Sequence, residues 1–181
     1  MSANDLQLSP KDEAAINDLL ARMSEAWERS DGAAYASVFD EDARYVTATG
    51  VRTVGRQPIA SAHQQIFDSF FAGTRLGRSY PIELQPIAPG VVLVHGTGAV
   101  LFNGEREQHV APNGLLTMVL VARDQGWRVA SFANTPTGKA RNVRFVLRYL
   151  RSRVAALRAE TGSAKAHMLA NRQKNLARWG R

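Results

Sequence analysis

His63 is the residue of this sequence best suited to acid–base chemistry, because an unperturbed imidazole already changes charge near neutral pH. It lies in the stretch GRQPIASAHQQIFDSFFAGTRL, residues 55–76. There Ile59, Ala62, His63, Ile66, Phe67, Phe70 and Phe71 recur at the spacing of one helix face. An ionisable ring on a face made for burial has two readings. It is a core histidine whose nitrogens are satisfied nearby, or it is a general acid or base in the wall of a pocket.

The residues able to surround it are mostly apolar. Helix faces offer Trp27, Tyr35, Phe39, Phe67 and Phe71. Strand alternation groups Tyr45 with Thr47, His95 with Thr97, and Arg128 with Phe132 and Asn134, without saying which set points inward. Tyr45, Thr47 and Asn134 are then the polar groups able to orient a ligand beside His63. A lining of this kind suits a flat, aromatic molecule held by a few hydrogen bonds.

Other chemistries lack their residues. The chain has no cysteine, which removes disulfides, thiolate metal sites and a cysteine nucleophile. His63, His95, His109 and His167 show no metal-ligand spacing. No dinucleotide glycine pattern follows a strand and opens a helix; HGTG at 95–98 lies inside a strand. The acids Glu83, Glu105, Glu107 and Asp124 fall in or beside turns, where solvated surface is their expected place. Nothing in the residues calls for a cofactor or a metal.

The elements that must position these groups are signed locally. Ser9-Pro10-Lys11-Asp12 marks a helix start, and Ile16, Leu19, Leu20, Met23 and Trp27 continue its stripe to about Ser30. Asp31 caps a short second helix through Phe39, and Asp40-Glu41-Asp42 forms an acidic turn before a short strand over 43–49. A loop follows, and Pro58 opens the helix of His63. From residue 80 the period changes. Four segments, 80–87, 91–102, 114–123 and 127–134, are β-branched and aromatic, with turn residues between them. They predict an antiparallel meander, and helices followed by strands predict an α+β domain with the helices on one sheet face.

Composition bounds the rest. At 181 residues, 45% hydrophobic and 22% charged, the chain matches a globular domain with an appendage. No apolar run approaches the ~20 residues of a membrane span, and the N-terminus lacks the layout of a secretory signal, so a cytoplasmic location is expected. The pI of 10.4 belongs to one end of the chain. Residues 139–181 hold 12 of the 23 Lys+Arg but one of the 16 Asp+Glu, so residues 1–138 are mildly acidic. The division is a domain over 1–138 and a basic helical extension over 139–181. In the extension Val143, Val146, Leu147, Leu150, Val154 and Leu157 make a narrow apolar stripe with arginine flanks. It suits packing on its own domain or in a homodimer, with nucleic acid or an anionic membrane as the less favoured partners.

Several motifs, in order, carry a family resemblance over residues 10–136. They are Trp27, the run YASVF at 35–39, Asp42-Ala43, Gly55-Arg56, Ile59, His63, Ile66-Phe67 and GTRL at 73–76, then VVLVHG at 91–96, TMVLV at 117–121 and WRVASFANT at 127–135. The chain resembles the SgcJ/EcaC group of the nuclear-transport-factor-2-like, or SnoaL-like, superfamily. The resemblance implies a cone-shaped fold, a curved and mainly antiparallel sheet closed by three N-terminal helices, with dimers made through the outer sheet face. It implies a small hydrophobic, polyketide-like or aromatic ligand, in a superfamily that holds isomerases, cyclases and hydrolases as well as pure binding proteins. The group carries an oxidoreductase label, yet no redox motif is present. The position of the ketosteroid-isomerase carboxylate base falls near Thr47, a poor base, so enzyme status stays open. Three functions are expected from this reading: a binding or sequestering protein, an enzyme using His63 as acid or base, and an interaction module acting through the basic tail.

Overall fold

Ser9 and Pro10 start the first helix as their types predict. In the computed structural model, which describes residues 6–77, 83–106, 110, 112, 114–137, 147, 150, 151 and 154, helix α1 spans Pro10–Glu28. The Asp12 amide donates to Ser9 Oγ at 3.1 Å, and Ser9 Oγ donates back to the Asp12 carboxylate. Ile16, Leu19, Met23, Ala26 and Trp27 form its buried face. Asp31 caps α2 (Gly32–Ala36), accepting from the Ala34 amide at 2.8 Å.

Helix α2 is shorter than its sequence pattern predicts. The Ser37 hydroxyl donates to the Ala34 carbonyl at 2.7 Å, competing with the helical ladder. Phe39 instead opens strand β1 (Phe39–Val46). The acidic run expected as a turn is part of this strand. Asp40 is paired with Arg123 and Glu41 with Arg56, so cations from other elements hold the acids in extended backbone. A hairpin then returns as β2 (Arg52–Val54), where the sequence pattern predicts a loop because three residues carry no period.

Helix α3 (Arg56–Phe67) begins after Gly55, whose φ of 96° is costly for any other residue, and it buries Ile59, Ala60, His63 and Phe67. It stops before Phe70 and Phe71, which the stripe had placed on the helix. Ser69 Oγ takes the Gln65 carbonyl at 2.6 Å, and the Phe71 amide closes a wide turn onto Ile66. The short strands β3 (Arg75–Leu76) and β6 (Val100–Leu101) pair with each other.

The main sheet adds β4 (Glu83–Ala88), β5 (Val91–Gly98), β7 (Gly114–Arg123) and β8 (Gly126–Pro136), in the spatial order β2-β1-β8-β7-β5-β4. The antiparallel meander β4-β5-β7-β8 is the one the turn residues predict. Strand β1 joins it in parallel beside β8, matching Tyr45 to Phe132. A register shift between Val119 and Leu120, against Ser131 and Val129, leaves Ala130 as an extra residue in β8. The bulge turns Arg128 away from the face that carries Phe132, so strict alternation misplaces it.

The core lies between the helices and one sheet face. Val92 and Val94 of β5, Met118 and Leu120 of β7, and Val129 and Phe132 of β8 meet Ile16, Leu19, Trp27, Tyr35, Ile59 and Phe67 from the helices. Among the described residues no helix is long and apolar enough to cross a membrane. The chain divides into two compact units, Met1–Asn142 and Val143–Arg181. In the second, Leu147, Leu150, Arg151 and Val154 are helical and exposed; the remainder of the expected basic extension lies outside the described residues, as do Tyr80, Glu107, His109 and His167.

Candidate functional site

Burial of His63 follows from the face it shares with Ile59 and Phe67, and only 4% of it is exposed. Both ring nitrogens are occupied. Nδ1 lies 2.8 Å from the Ile59 carbonyl oxygen, one turn back on its own helix. A carbonyl can only accept, so the proton sits on Nδ1 and Nε2 is left as an acceptor. It accepts from the Tyr45 hydroxyl at 3.3 Å, and Tyr45 in turn makes a long 3.5 Å contact with the Tyr35 hydroxyl. Three polar side chains from α2, β1 and α3 therefore form one chain, with Tyr35 donating to Tyr45 and Tyr45 to His63.

Electrostatics hold this chain neutral. Burial pushes the His63 imidazole down to about 4, against a smaller upward pull from the Ile59 carbonyl. Burial pushes the Tyr45 hydroxyl up to about 12, and burial, with Tyr45 beside it, holds the Tyr35 hydroxyl well above its ordinary value. At neutral pH the imidazole is uncharged and both phenols are protonated.

An aromatic shell encloses the chain. The Tyr35 ring stacks on His63 at 4.1 Å, while Tyr45 lies edge-on to His63 at 4.9 Å and stacks on Phe132 at 4.5 Å with the rings 8° from parallel. Trp27 packs edge-to-face on Phe67 at 5.1 Å and meets Phe71 at 5.3 Å. Its indole N–H donates to the buried Thr74 hydroxyl at 3.0 Å, which donates to the Phe71 carbonyl. Phe39 sits against both Tyr35 and Tyr45. Edge-to-face and offset pairs add roughly 0.5–1.5 kcal/mol each beyond area burial, so this shell is also a large part of the core's stability.

Of the ligand-contact residues expected from sequence, Trp27, Tyr35, Phe39, Tyr45 and Phe67 come together around His63. Phe71 packs at their edge, partly buried. Thr47 lies past the end of β1, where its hydroxyl accepts from the Val51 amide and meets Thr49, so it shapes the hairpin. Asn134 lies on the inner face of β8, two residues beyond Phe132, and is half-buried. His95 and Thr97 fall on the face of β5 opposite to Val92 and Val94. Arg56 fixes the start of α3, donating to the Phe39 carbonyl at 2.8 Å and pairing with Glu41.

Three participants were not singled out from sequence. Thr74 bonds Trp27 across 47 residues, and no local pattern announces such a contact. Phe132 stood in a parity group, but its stack on Tyr45 depends on the parallel β1–β8 register. Gly114 stood only as the first residue of a predicted strand. In the structure a Cβ there would stand 2.5 Å from the Asn134 Oδ1 atom.

The comparisons agree with this architecture. A domain of unknown function with a cystatin-like fold from Nostoc punctiforme is 26% identical, with a TM-score of 0.63 over 92% of this chain and 99% of that one. An uncharacterised cystatin-like-fold protein from Caulobacter vibrioides is 27% identical, with a TM-score of 0.60 over 76% and 99%. A protein described as a candidate aromatic ring hydroxylase from Novosphingobium aromaticivorans shares the fold at 16% identity, with a TM-score of 0.59 over 73% and 93%. No curated protein matches the chain. The SnoaL-like domain family matches residues 9–133, which take in both helical and sheet walls of the site, and the chain belongs to that family.

Proposed function

We propose that this protein binds a small, flat, mostly apolar molecule, aromatic or polyketide-like, on the inner face of its sheet beside the Tyr35–Tyr45–His63 chain. The observation that carries the reading is a neutral, hydrogen-bonded polar chain set inside an aromatic shell. Such a wall offers a planar ligand stacking surface without a fixed charge. The motifs quoted from the sequence support assignment to the SgcJ/EcaC group, and the same proposal has the protein act in the cytoplasm as a homodimer joined through the outer sheet face. Sequestering or delivering the bound molecule needs no more than this wall.

A second reading is acid–base catalysis, favoured by one feature: the unprotonated Nε2 of His63 faces a hydroxyl chain along which a proton can be relayed. An imidazole pushed down to about 4 is a weak base, and this favours the binding reading. NMR shift mapping with 2-naphthol, a planar aromatic with one hydroxyl, tests the site, and chemical recovery of the probe separates the two readings. A probe recovered unchanged supports binding; conversion that His63→Gln abolishes supports catalysis.

A further inference from the structure

The inner face of the sheet is not evenly covered. Val129 and Leu120 are fully buried, and Phe132 and Met118 nearly so. One step further along the same face, Asn134 of β8 and its partner Leu116 of β7 are only half-buried. The face therefore opens toward the end of β8 and the start of β7. At that end stands the one buried side-chain polar atom without a hydrogen-bond partner among the described residues, Asn134 Oδ1. It lies against Gly114, where a Cβ would come within 2.5 Å of the oxygen and 3.5 Å of Cγ.

A buried carbonyl oxygen with no donor is a standing cost, which a donor arriving from outside removes. The residue as a whole is half-buried, and the terminal torsion of asparagine is broad, so the carboxamide can turn its oxygen to the open end. Gly114 leaves room for the oxygen on the buried side, and a Cβ there would push this flexible side-chain tip toward the open end. We infer that Asn134 is a specificity-determining residue whose oxygen accepts from a hydroxyl of the ligand; the ligand class is thus a planar aromatic bearing a phenolic or enolic O–H. This rests on the binding reading above and adds the chemical group recognised. It also gives the ligand an orientation, its ring beside the Phe132–Tyr45 stack and its hydroxyl toward the open end.

The test is calorimetric titration of the full chain with 2-naphthol and with 2-methoxynaphthalene, which differ in the single donor. The intact protein is expected to prefer the naphthol by about tenfold, the effect of one well-made hydrogen bond. Asn134→Leu should keep the affinity for the methyl ether and erase the preference. Gly114→Ala, with the asparagine still present and its oxygen pushed toward the open end, should keep the preference. A ratio of affinities is unaffected by a general loss of stability, and thermal melts identify any variant that fails to fold. Equal binding of the two probes by the intact protein overturns the inference while leaving the binding reading standing, as does a preference that survives Asn134→Leu. Binding of neither probe overturns the binding reading itself, and this inference with it.

Discussion

His63 shows what one sequence can say about one residue. Helical spacing announces that its side chain is buried, because Ile59 and Phe67 share its face. The partners of its nitrogens were not legible. The Ile59 carbonyl is a backbone group any helix offers, and Tyr45 arrives from a strand 18 residues away through tertiary packing. The lowered imidazole pKa has a consequence for stability. An unfolded histidine titrates near 6.5, while the folded one takes up its proton only near 4. Between these values the unfolded state binds more protons, so the contribution is complete above about pH 6.5 and is lost as pH falls toward 4. The full difference is about 3 kcal/mol at most by the same linkage. Urea denaturation from pH 7 to 4.5 should show stability falling with pH, and His63→Gln should flatten that slope. Asp12 and Asp40, whose carboxyls are held low by Ser9 and Arg123, lose their contributions only below this window.

At the scale of elements, legibility followed length and punctuation. The four meander strands were readable because turn residues bound long β-branched runs. The strands β2 and β3 are two or three residues long and exist only through their partners. The bulge that turns Arg128 outward is set by pairing and leaves no mark in the order of residues. Helix contacts were equally hidden. Gly32 opens α2 against α3, its amide donating to the Gln64 side chain at 3.0 Å, and a Cβ there would stand 2.6 Å from the Ala60 carbonyl and 2.7 Å from the Gln64 amide nitrogen. Both are backbone atoms, which cannot move aside as a side-chain tip can. Gly32→Ala should therefore force the helices apart and cost about 1–3 kcal/mol, the usual range for overpacking, despite alanine's better helix propensity. Chemical denaturation of the variant checks this; a stability equal to or above the parent's would mean α2 and α3 are not held at this distance.

For the whole molecule, the order of motifs along the chain was more informative than any of them alone. Together they pointed to the superfamily, and the match over residues 9–133 establishes the SnoaL-like family. Fold membership does not transfer a reaction, which is why the site had to be built from its own residues. The outer sheet face bears on assembly. Leu93, Val119, Val121 and Ala133 lie on it and are only half-buried within the single chain. If a second copy covers this face, as proposed, Val119→Glu places a charge in the interface and should convert the dimer to a monomer in light scattering after size exclusion. A parent protein that elutes as a monomer at every concentration would refute the assembly.

The central claim is that a small planar molecule binds on the inner face of the sheet beside the tyrosine–histidine chain. The most direct measurement is the NMR map of the full chain as 2-naphthol is added. Saturable shifts are expected at Tyr45, His63, Phe132 and Asn134, with the outer-face residues Leu93 and Val121 unmoved. Shifts confined to the outer face, or none at all at millimolar probe, would contradict it.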